Sequence, residues 1–271
     1  MDRLSSVLNE AMGTNTDGVS NVVLLTMGIV VVLIAILSLF AIGVSVYLAI
    51  SYIKYNRTKN SIEKTGEEVA RKVLDNNGLQ HIRVSKNGSL LFGNSYSHFF
   101  KKVRLRRFTW KKKSISSLAM ATQKSSLAIL DKEGDADMKL RISMTPFIYF
   151  GPIAFIPIVL IGVILDILIF NSSGILTVIL SIIGLFFYIV SFVMSVMVLK
   201  TEKKAQKKAV EIMKNEGLAT EKEIEMVKNL FRLYNIEYIN DMILALLELI
   251  YRVLQIVADV QKQNFSSGSK D

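Results

Sequence analysis

The chain has 271 residues, of which 51% are hydrophobic, and its formal net charge is +10 at pH 7. It contains no cysteine, which excludes a disulfide scaffold and every metal site built from thiolates. Its two histidines, His81 and His98, leave little for an imidazole zinc site. The apolar residues are concentrated in long blocks, and this distribution indicates a membrane protein.

The first block, residues 22–53, carries no charged side chain. It is longer than the roughly 20 residues that a helix needs to cross a bilayer. We predict a first membrane helix here. The preceding residues 1–21 lack the basic start of a cleaved signal peptide, so we interpret them as an extracytoplasmic leader that is retained.

Two further apolar blocks, residues 147–170 and 175–199, are separated by four polar or small residues. So short a connection predicts a hairpin of two membrane helices, residues 147–199 in all. Asp166 lies near the turn of this hairpin. An acid at the membrane interface is the simpler interpretation of Asp166, and an ion or proton site in a transporter is the alternative.

Basic residues flank these blocks on one side. Residues 54–146 hold 20 Lys and Arg against 8 Asp and Glu, and residues 200–208 add more basic side chains. The positive-inside rule then predicts a multi-pass plasma-membrane protein whose main loop is cytoplasmic and whose N-terminus is outside.

The basic loop, residues 54–146, contains local signals for a small α+β region. Thr65 and Glu68 form a capping box that predicts a helix over residues 66–76. Residues 81–85 and 89–92, around an Asn-Gly turn, predict a β-hairpin, and residues 99–105 are consistent with another strand. Residues 114–130 have helical periodicity.

After the third span, residues 200–235 predict cytoplasmic helices, one over residues 202–216 and another that starts at a capping box formed by Thr220 and Glu223. Residues 236–262 predict an amphipathic helix that lies on the membrane, packs on the spans or crosses as a fourth span. Residues 263–271 predict a disordered tail. The expected fold is a mainly α membrane protein with three transmembrane helices, this C-terminal helix and a small cytoplasmic α+β part.

One long motif and several short ones point to a known family. Residues 65–79, TGEEVARKVLDNNGL, resemble the opening of the YugP-type bacterial membrane zinc metallopeptidases. The resemblance continues in register, since residues 102–105, KVRL, look like the strand before the family's catalytic helix. Residues 133–134 and 139–141, EG and KLR, look like the segment that follows that helix.

In that family an HExxH helix carries the chemistry: two His bind zinc, and the Glu between them activates water. Counted from the matching flanks, this motif falls on residues 123–127. Gln123 and Leu127 then stand in place of the two His, and Lys124 stands in place of the Glu. Glu202 corresponds to the third ligand that the resemblance implies. A further acidic stretch of the family falls on residues 94–98, where only Tyr96 matches.

The resemblance therefore implies a framework that is kept and a zinc site that is lost. We expect a catalytically inactive homologue, a pseudopeptidase without a metal or other cofactor, that acts as an anchor or scaffold subunit. The alternative is an active zinc peptidase with unusual ligands such as His98 and Glu202.

Basic side chains are densest in residues 101–113, which we call the basic segment. Its members are Lys101, Lys102, Arg104, Arg106, Arg107, Lys111, Lys112 and Lys113, together with Trp110, which is the only tryptophan. Anionic lipid headgroups and an acidic protein surface are both suitable partners. A solvated strand edge without a partner is the third interpretation. No nucleic-acid partner is expected, because no RNA-binding module is recognisable.

Overall fold

The computed structural model describes residues 18–88, 93–166 and 175–268. The helices are α1 (Asn21–Arg57), α2 (Gly66–Asn76), α3 (Arg107–Lys111), α4 (Ile115–Lys132), α5 (Ala136–Leu165), α6 (Ile175–Asn215) and α7 (Glu221–Gly268). The strands are β1 (Arg83–Asn87), β2 (Ser95–Ser97) and β3 (Lys102–Arg106). The described residues divide into two compact units: residues 18–42, 147–166, 175–193 and 240–268 form a helical unit, and residues 43–88, 93–146 and 194–239 form an α+β unit.

The helical unit is strongly apolar. Among the described residues, two helices are long and apolar enough to cross a membrane, Asn21–Arg57 and Ile179–Asn215. Only 17% and 22% of their most apolar windows are buried within the protein. Apolar surface left exposed on this scale requires another apolar environment, which a bilayer supplies. These helices support the membrane location.

The predicted number of three or four spans is not confirmed. Part of the predicted span over residues 147–170 lies outside the described residues, as does its turn. Helix α7, which contains the predicted amphipathic residues 236–262, is not among the two helices that are apolar enough within the described part of the chain. The orientation of the chain in the membrane stays a prediction.

Asp166 has a structural role within the helical unit. Its carboxylate accepts hydrogen bonds from the Leu176 and Thr177 backbone N–H groups, at 3.2 and 2.7 Å, and from the Thr177 hydroxyl at 2.6 Å. Helix α6 begins at Ile175, so Asp166 satisfies N–H groups that lack partners within the helix. These bonds give the Asp166 carboxylate a structural use, and its place at the membrane interface stays a prediction.

The α+β unit contains a three-stranded sheet in the order β1-β3-β2. Strand β3 lies in the middle, parallel to β1 and antiparallel to β2, with Val103 opposite Val84 and Tyr96. Strand β1 pairs with β3 on one edge, and the predicted hairpin between residues 81–85 and 89–92 stays a prediction. Residues 89–92 lie outside the described residues. The predicted strand over residues 99–105 corresponds to β3.

The core of this unit forms where α2, the sheet and α4 meet the hairpin of α6 and α7. Val69, Leu74, Leu105, Leu118 and Leu230 are all fully buried there. Helix α2 has the predicted bounds, and both hydrogen bonds of the Thr65–Glu68 capping box are present. Helix α4 begins after Ser114, whose hydroxyl accepts the Ser117 N–H.

Helices α6 and α7 are longer than predicted. Helix α6 continues from the apolar stretch to Asn215, and Gly217, with φ of 60°, allows the turn that leads into α7. The predicted capping box at Thr220 and Glu223 is present. Helix α7 then runs without interruption to Gly268, across the predicted boundary at residue 235, and disorder of the tail stays a prediction. Residues 269–271 lie outside the described residues.

An ion-pair ladder joins α6 to the turn between α4 and α5. Lys204 pairs with Asp135 and Asp137, Lys200 pairs with Asp137, and Lys208 pairs with Glu133. The three lysines lie four residues apart and therefore share one face of α6. Each partly exposed ion pair of this kind adds little stability by itself. Together the pairs match successive lysines of α6 with successive acids of the turn, so they favour one alignment of α6 against the turn.

Candidate functional site

Helix α4 occupies the centre of the α+β unit. Within residues 115–130 every residue is buried except Lys124, which is partly exposed. Small and hydroxyl-bearing side chains permit this burial: the Thr122 and Ser126 hydroxyls donate to carbonyls one turn back, those of Leu118 and Thr122, at 2.9 and 2.8 Å. Positions 123–127, where the resemblance places the catalytic motif, thus lie on the buried central helix of the unit.

Gln123, Lys124 and Glu202 come together in the structure. Lys124 Nζ and Gln123 Nε2 both donate to Glu202 Oε2, each at 2.8 Å. The side chains of Lys124 and Glu202 are only 12% and 17% exposed. Glu202 lies on α6, just past the apolar stretch, so the pairing joins α6 to α4. The structure thus places Glu202 beside positions 123 and 124 of α4.

Arg141, on α5, supplies a second cation to the same carboxylate. Its Nη1 atom lies 2.9 Å from Glu202 Oε1, so the two side chains form an ion pair, but the N–H groups do not point at the carboxylate as in a hydrogen bond. Burial raises the pKa of Glu202, but Lys124 and Arg141 together outweigh this effect and hold that pKa at about 2. Glu202 is therefore ionised at neutral pH, with its charge compensated by protein cations.

Leu127 takes no part in this cluster. It is 1% exposed and packs in a small apolar cluster with Leu130, Met138 and Ala205. A leucine side chain has no atom that ligates a metal. The position to which the resemblance assigns the second His is thus part of the hydrophobic core between α4, α5 and α6.

The residues present do not fit a zinc ion. Structural and catalytic zinc sites use three or four Cys, His or carboxylate ligands, whereas this cluster offers one carboxylate and one amide. Two cations already occupy both oxygens of the carboxylate. Among the described residues no group of three His, Cys, Asp or Glu side chains is close enough to hold a metal ion.

A second polar cluster lies further along α4, at Asp131. Tyr96 Oη donates to Asp131 Oδ2 at 2.6 Å, and His98 Nδ1 lies 2.6 Å from the same oxygen. Lys101 Nζ is 3.8 Å from it. Burial raises the pKa of Asp131, but the bonds from Tyr96 and His98, with the Lys101 charge, more than offset it and lower that pKa. His98 is thus bound to Asp131 and not to Glu202.

Sequence reasoning missed Asp131 and Arg141. The sequence does hold a signal for Asp131. It follows Lys124 by seven residues, and this spacing places the two side chains on the same face of a helix, about 10 Å apart along its axis. No local signal marks Arg141, because its role depends on how α5 returns past α4.

The basic segment forms β3 and α3. Val103 and Leu105 are fully buried, whereas Lys102 and Arg104 alternate with them on the other face of the strand. Because β3 is the middle strand, the interpretation of these charges as a strand edge is wrong. Trp110 is partly buried against the core. The remaining members, Lys101, Arg106, Arg107, Lys111, Lys112 and Lys113, are exposed or partly exposed.

Exposed aromatic side chains accompany these charges. Phe100 is 69% exposed and Phe108 is 60% exposed. The Arg104 guanidinium and the Lys112 ammonium each lie 5.4 Å from the centroid of one of these rings, Phe100 and Phe108 respectively. The segment ends beside the end of α1, because the Asn60 N–H donates to the Lys113 carbonyl at 2.9 Å.

The chain belongs to the family described as "Putative neutral zinc metallopeptidase", whose model matches residues 29–257. It is also similar to the "Putative membrane protease YugP" of Bacillus subtilis (strain 168), with 28% identity over 135 residues. That match covers 46% of this chain and 59% of the relative, so the chain spans less than two thirds of the relative's length. No solved structure matches the chain. The family expected from the resemblance is thus confirmed.

Proposed function

We propose that this chain is a catalytically inactive member of its zinc metallopeptidase family that serves as a membrane-anchored scaffold subunit. One observation carries the proposal: the Lys124 ammonium lies 2.8 Å from Glu202, at the position where a peptidase of this family would place its general base beside the metal. A fixed cation at that position repels a divalent metal ion, and an ammonium at neutral pH does not accept a proton from water.

The same cluster supports a structural use of the family framework. The Glu202 carboxylate, on α6, forms ion pairs with Lys124 on α4 and with Arg141 on α5. Three helices therefore meet at one ionised group that needs compensating charge in a largely buried place. In a zinc enzyme the metal supplies that charge; here the protein supplies it itself.

The test measures bound zinc and peptide cleavage on the full chain purified in detergent. We expect no stoichiometric zinc by elemental analysis after incubation with the metal, and no cleavage of an unfolded protein substrate. A variant that restores the motif, Q123H/K124E/L127H, is the matched control and is expected to take up zinc. One zinc per wild-type chain together with chelator-sensitive cleavage would contradict the proposal.

The competing function, an active peptidase with unusual ligands, makes a different prediction. Any cleavage by the wild-type chain would then depend on His98 and Glu202 and would disappear in H98A and in E202A. The bond between His98 and Asp131 argues against this function, because it ties the His98 ring to a different carboxylate.

The scaffold role implies other membrane or cytoplasmic proteins as partners. Extraction from the native membrane in a mild detergent, followed by mass spectrometry of co-purifying proteins, tests it. We expect partner proteins that are recovered in constant proportion to this chain. They should be absent when an unrelated membrane protein is purified in the same way. A monodisperse chain without partners would contradict the scaffold role while leaving the inactive site intact.

A further inference from the structure

A basic groove lies between α6 and α7 in the α+β unit. It has a volume of about 600 Å³, within the range of sites for ligands of the size of a small drug. Lys203 and Lys207 line it from α6, and Lys228 and Arg232 line it from α7. Members of each pair lie four residues apart, so each helix presents two cations on one face.

These four cations are not compensated within the described part of the chain. All four side chains belong to exposed residues, and none forms an ion pair with a described residue. The groove contains a single carboxylate, that of Glu211. This contrasts with Lys200, Lys204 and Lys208, which pair with acids on the other face of α6. One face of α6 is neutralised, and the face in the groove is left positive.

The lining between the cations is partly apolar. Val210, Phe231 and Ile236 contribute to it, and Phe231 is only 4% exposed. Gln206 and Asn235 also line the groove and are joined by two reciprocal amide hydrogen bonds of 3.0 and 2.8 Å. Because these two amide groups hydrogen-bond to each other, a ligand in the groove would be held mainly by the cations and by apolar contacts. This combination suits an amphiphile with an anionic head better than a bare anion.

The groove begins close to the end of the apolar stretch of α6. Lys203 follows Leu199 by four residues, which is about 6 Å along a helix. The polar headgroup layer on each side of a bilayer is about 5–8 Å thick. The near end of the groove therefore falls at headgroup depth if Leu199 marks the edge of the hydrocarbon.

We infer that this groove binds the headgroup of an anionic phospholipid, with its phosphate between the cations of α6 and α7. The inference does not rest on the proposed loss of zinc chemistry. An acidic peptide is the competing occupant, but nothing in the apolar lining or in its distance from the membrane favours a peptide.

The experiment is native mass spectrometry of the full chain in detergent, titrated with short-chain phosphatidylglycerol. We expect saturable binding of one lipid, with phosphatidylcholine of the same chain length binding much more weakly. The variant K207A/R232A should bind phosphatidylglycerol at least about tenfold more weakly, because each charge near a headgroup changes affinity by about fivefold. The charge-matched control K139A/K222A, at exposed positions outside the groove, should bind like the wild type.

Two competition arms separate the sources of the anionic group. Inorganic phosphate at millimolar concentration should leave the lipid bound, and so should a polyglutamate peptide. Displacement by either, equal binding of both phospholipids, or unchanged binding by K207A/R232A would overturn the inference. Circular dichroism and a monodisperse elution profile confirm that each variant is folded, as expected for substitutions at exposed sites.

Discussion

At the scale of single residues, the Glu202 cluster shows how one buried charge is stabilised without a metal. A carboxylate that is 17% exposed would ordinarily protonate, but here Lys124 and Arg141 keep it ionised. The arrangement makes Glu202 sensitive to the loss of either cation. Removing one partner of a buried pair is costly because the charge that remains is left without compensation.

The lowered pKa of Glu202 makes a prediction about stability and pH. Its pKa is about 2 in the folded chain against an ordinary 4.5, so its contribution is present above pH 4.5 and is lost as the pH falls towards 2. The shift corresponds to about 3 kcal/mol at neutral pH. E202Q should therefore lower the free energy of unfolding by roughly that amount at pH 7 and by much less near pH 2, as measured by denaturant unfolding in detergent.

The matched control for this prediction is E67Q. Glu67 is an exposed carboxylate in the first turn of α2, and its loss should change stability little at either pH. Comparing differences between variants removes the effect of other groups that titrate in the same range, such as Asp131. An E202Q effect that is the same at pH 7 and near pH 2 would contradict the assigned pairing.

At the scale of elements, local signals placed most helix ends correctly. The Thr65–Glu68 capping box and Asn76-Asn77-Gly78 set both ends of α2, because each acts within a few residues of the chain. Local signals did not predict the pairing of β1 with β3, because β3 begins fifteen residues after β1 ends; the nearer partner favoured by the Asn-Gly turn, residues 89–92, lies outside the described residues. Helix α7 passed through the predicted boundary because nothing at Asn235 breaks a helix.

The contact between α2 and α3 supports a prediction at this scale. A Cβ atom at Gly66 would overlap the carbonyl oxygen of Thr109 on α3, which is backbone and does not move aside easily. G66A should destabilise the chain by about 1–3 kcal/mol, the usual cost of overpacking. G43A is the control, since nothing lies within 4 Å of a Cβ there and alanine is favoured over glycine in a helix. The unfolding temperatures of both variants are measured in the same detergent. An equal decrease in G66A and G43A would contradict a close contact between Gly66 and Thr109.

At the scale of the whole molecule, the basic segment is a second surface suited to anionic lipid. The exposed rings of Phe100, which precedes it, and of Phe108 lie beside its charges, and its end is hydrogen-bonded to the residues that follow α1. Aromatic and basic side chains together are typical of the membrane interface. We propose that this surface lies against the headgroups on the cytoplasmic side.

Trp110 reports on this proposal because it is the only tryptophan in the chain. In nanodiscs that contain brominated phosphatidylglycerol, its fluorescence should be quenched more than in brominated phosphatidylcholine. K111A/K112A/K113A should reduce that difference, whereas K139A/K222A should not. Equal quenching of the wild type by the two brominated lipids would show that the basic segment faces solvent or a protein partner.

The sequence alone determined the family, the apolar blocks and the ends of α2, and the resemblance leads us to expect that every residue of the zinc motif is replaced. These features depend on composition, on neighbours a few residues apart or on positions within one motif. Only the tertiary structure decided that β3 lies in the middle of the sheet, that His98 binds Asp131, and that Arg141 joins Lys124 at Glu202. Each of these contacts joins separate elements. Burial in the folded chain creates the need for compensating charge, and the packing of helices selects which residues supply it.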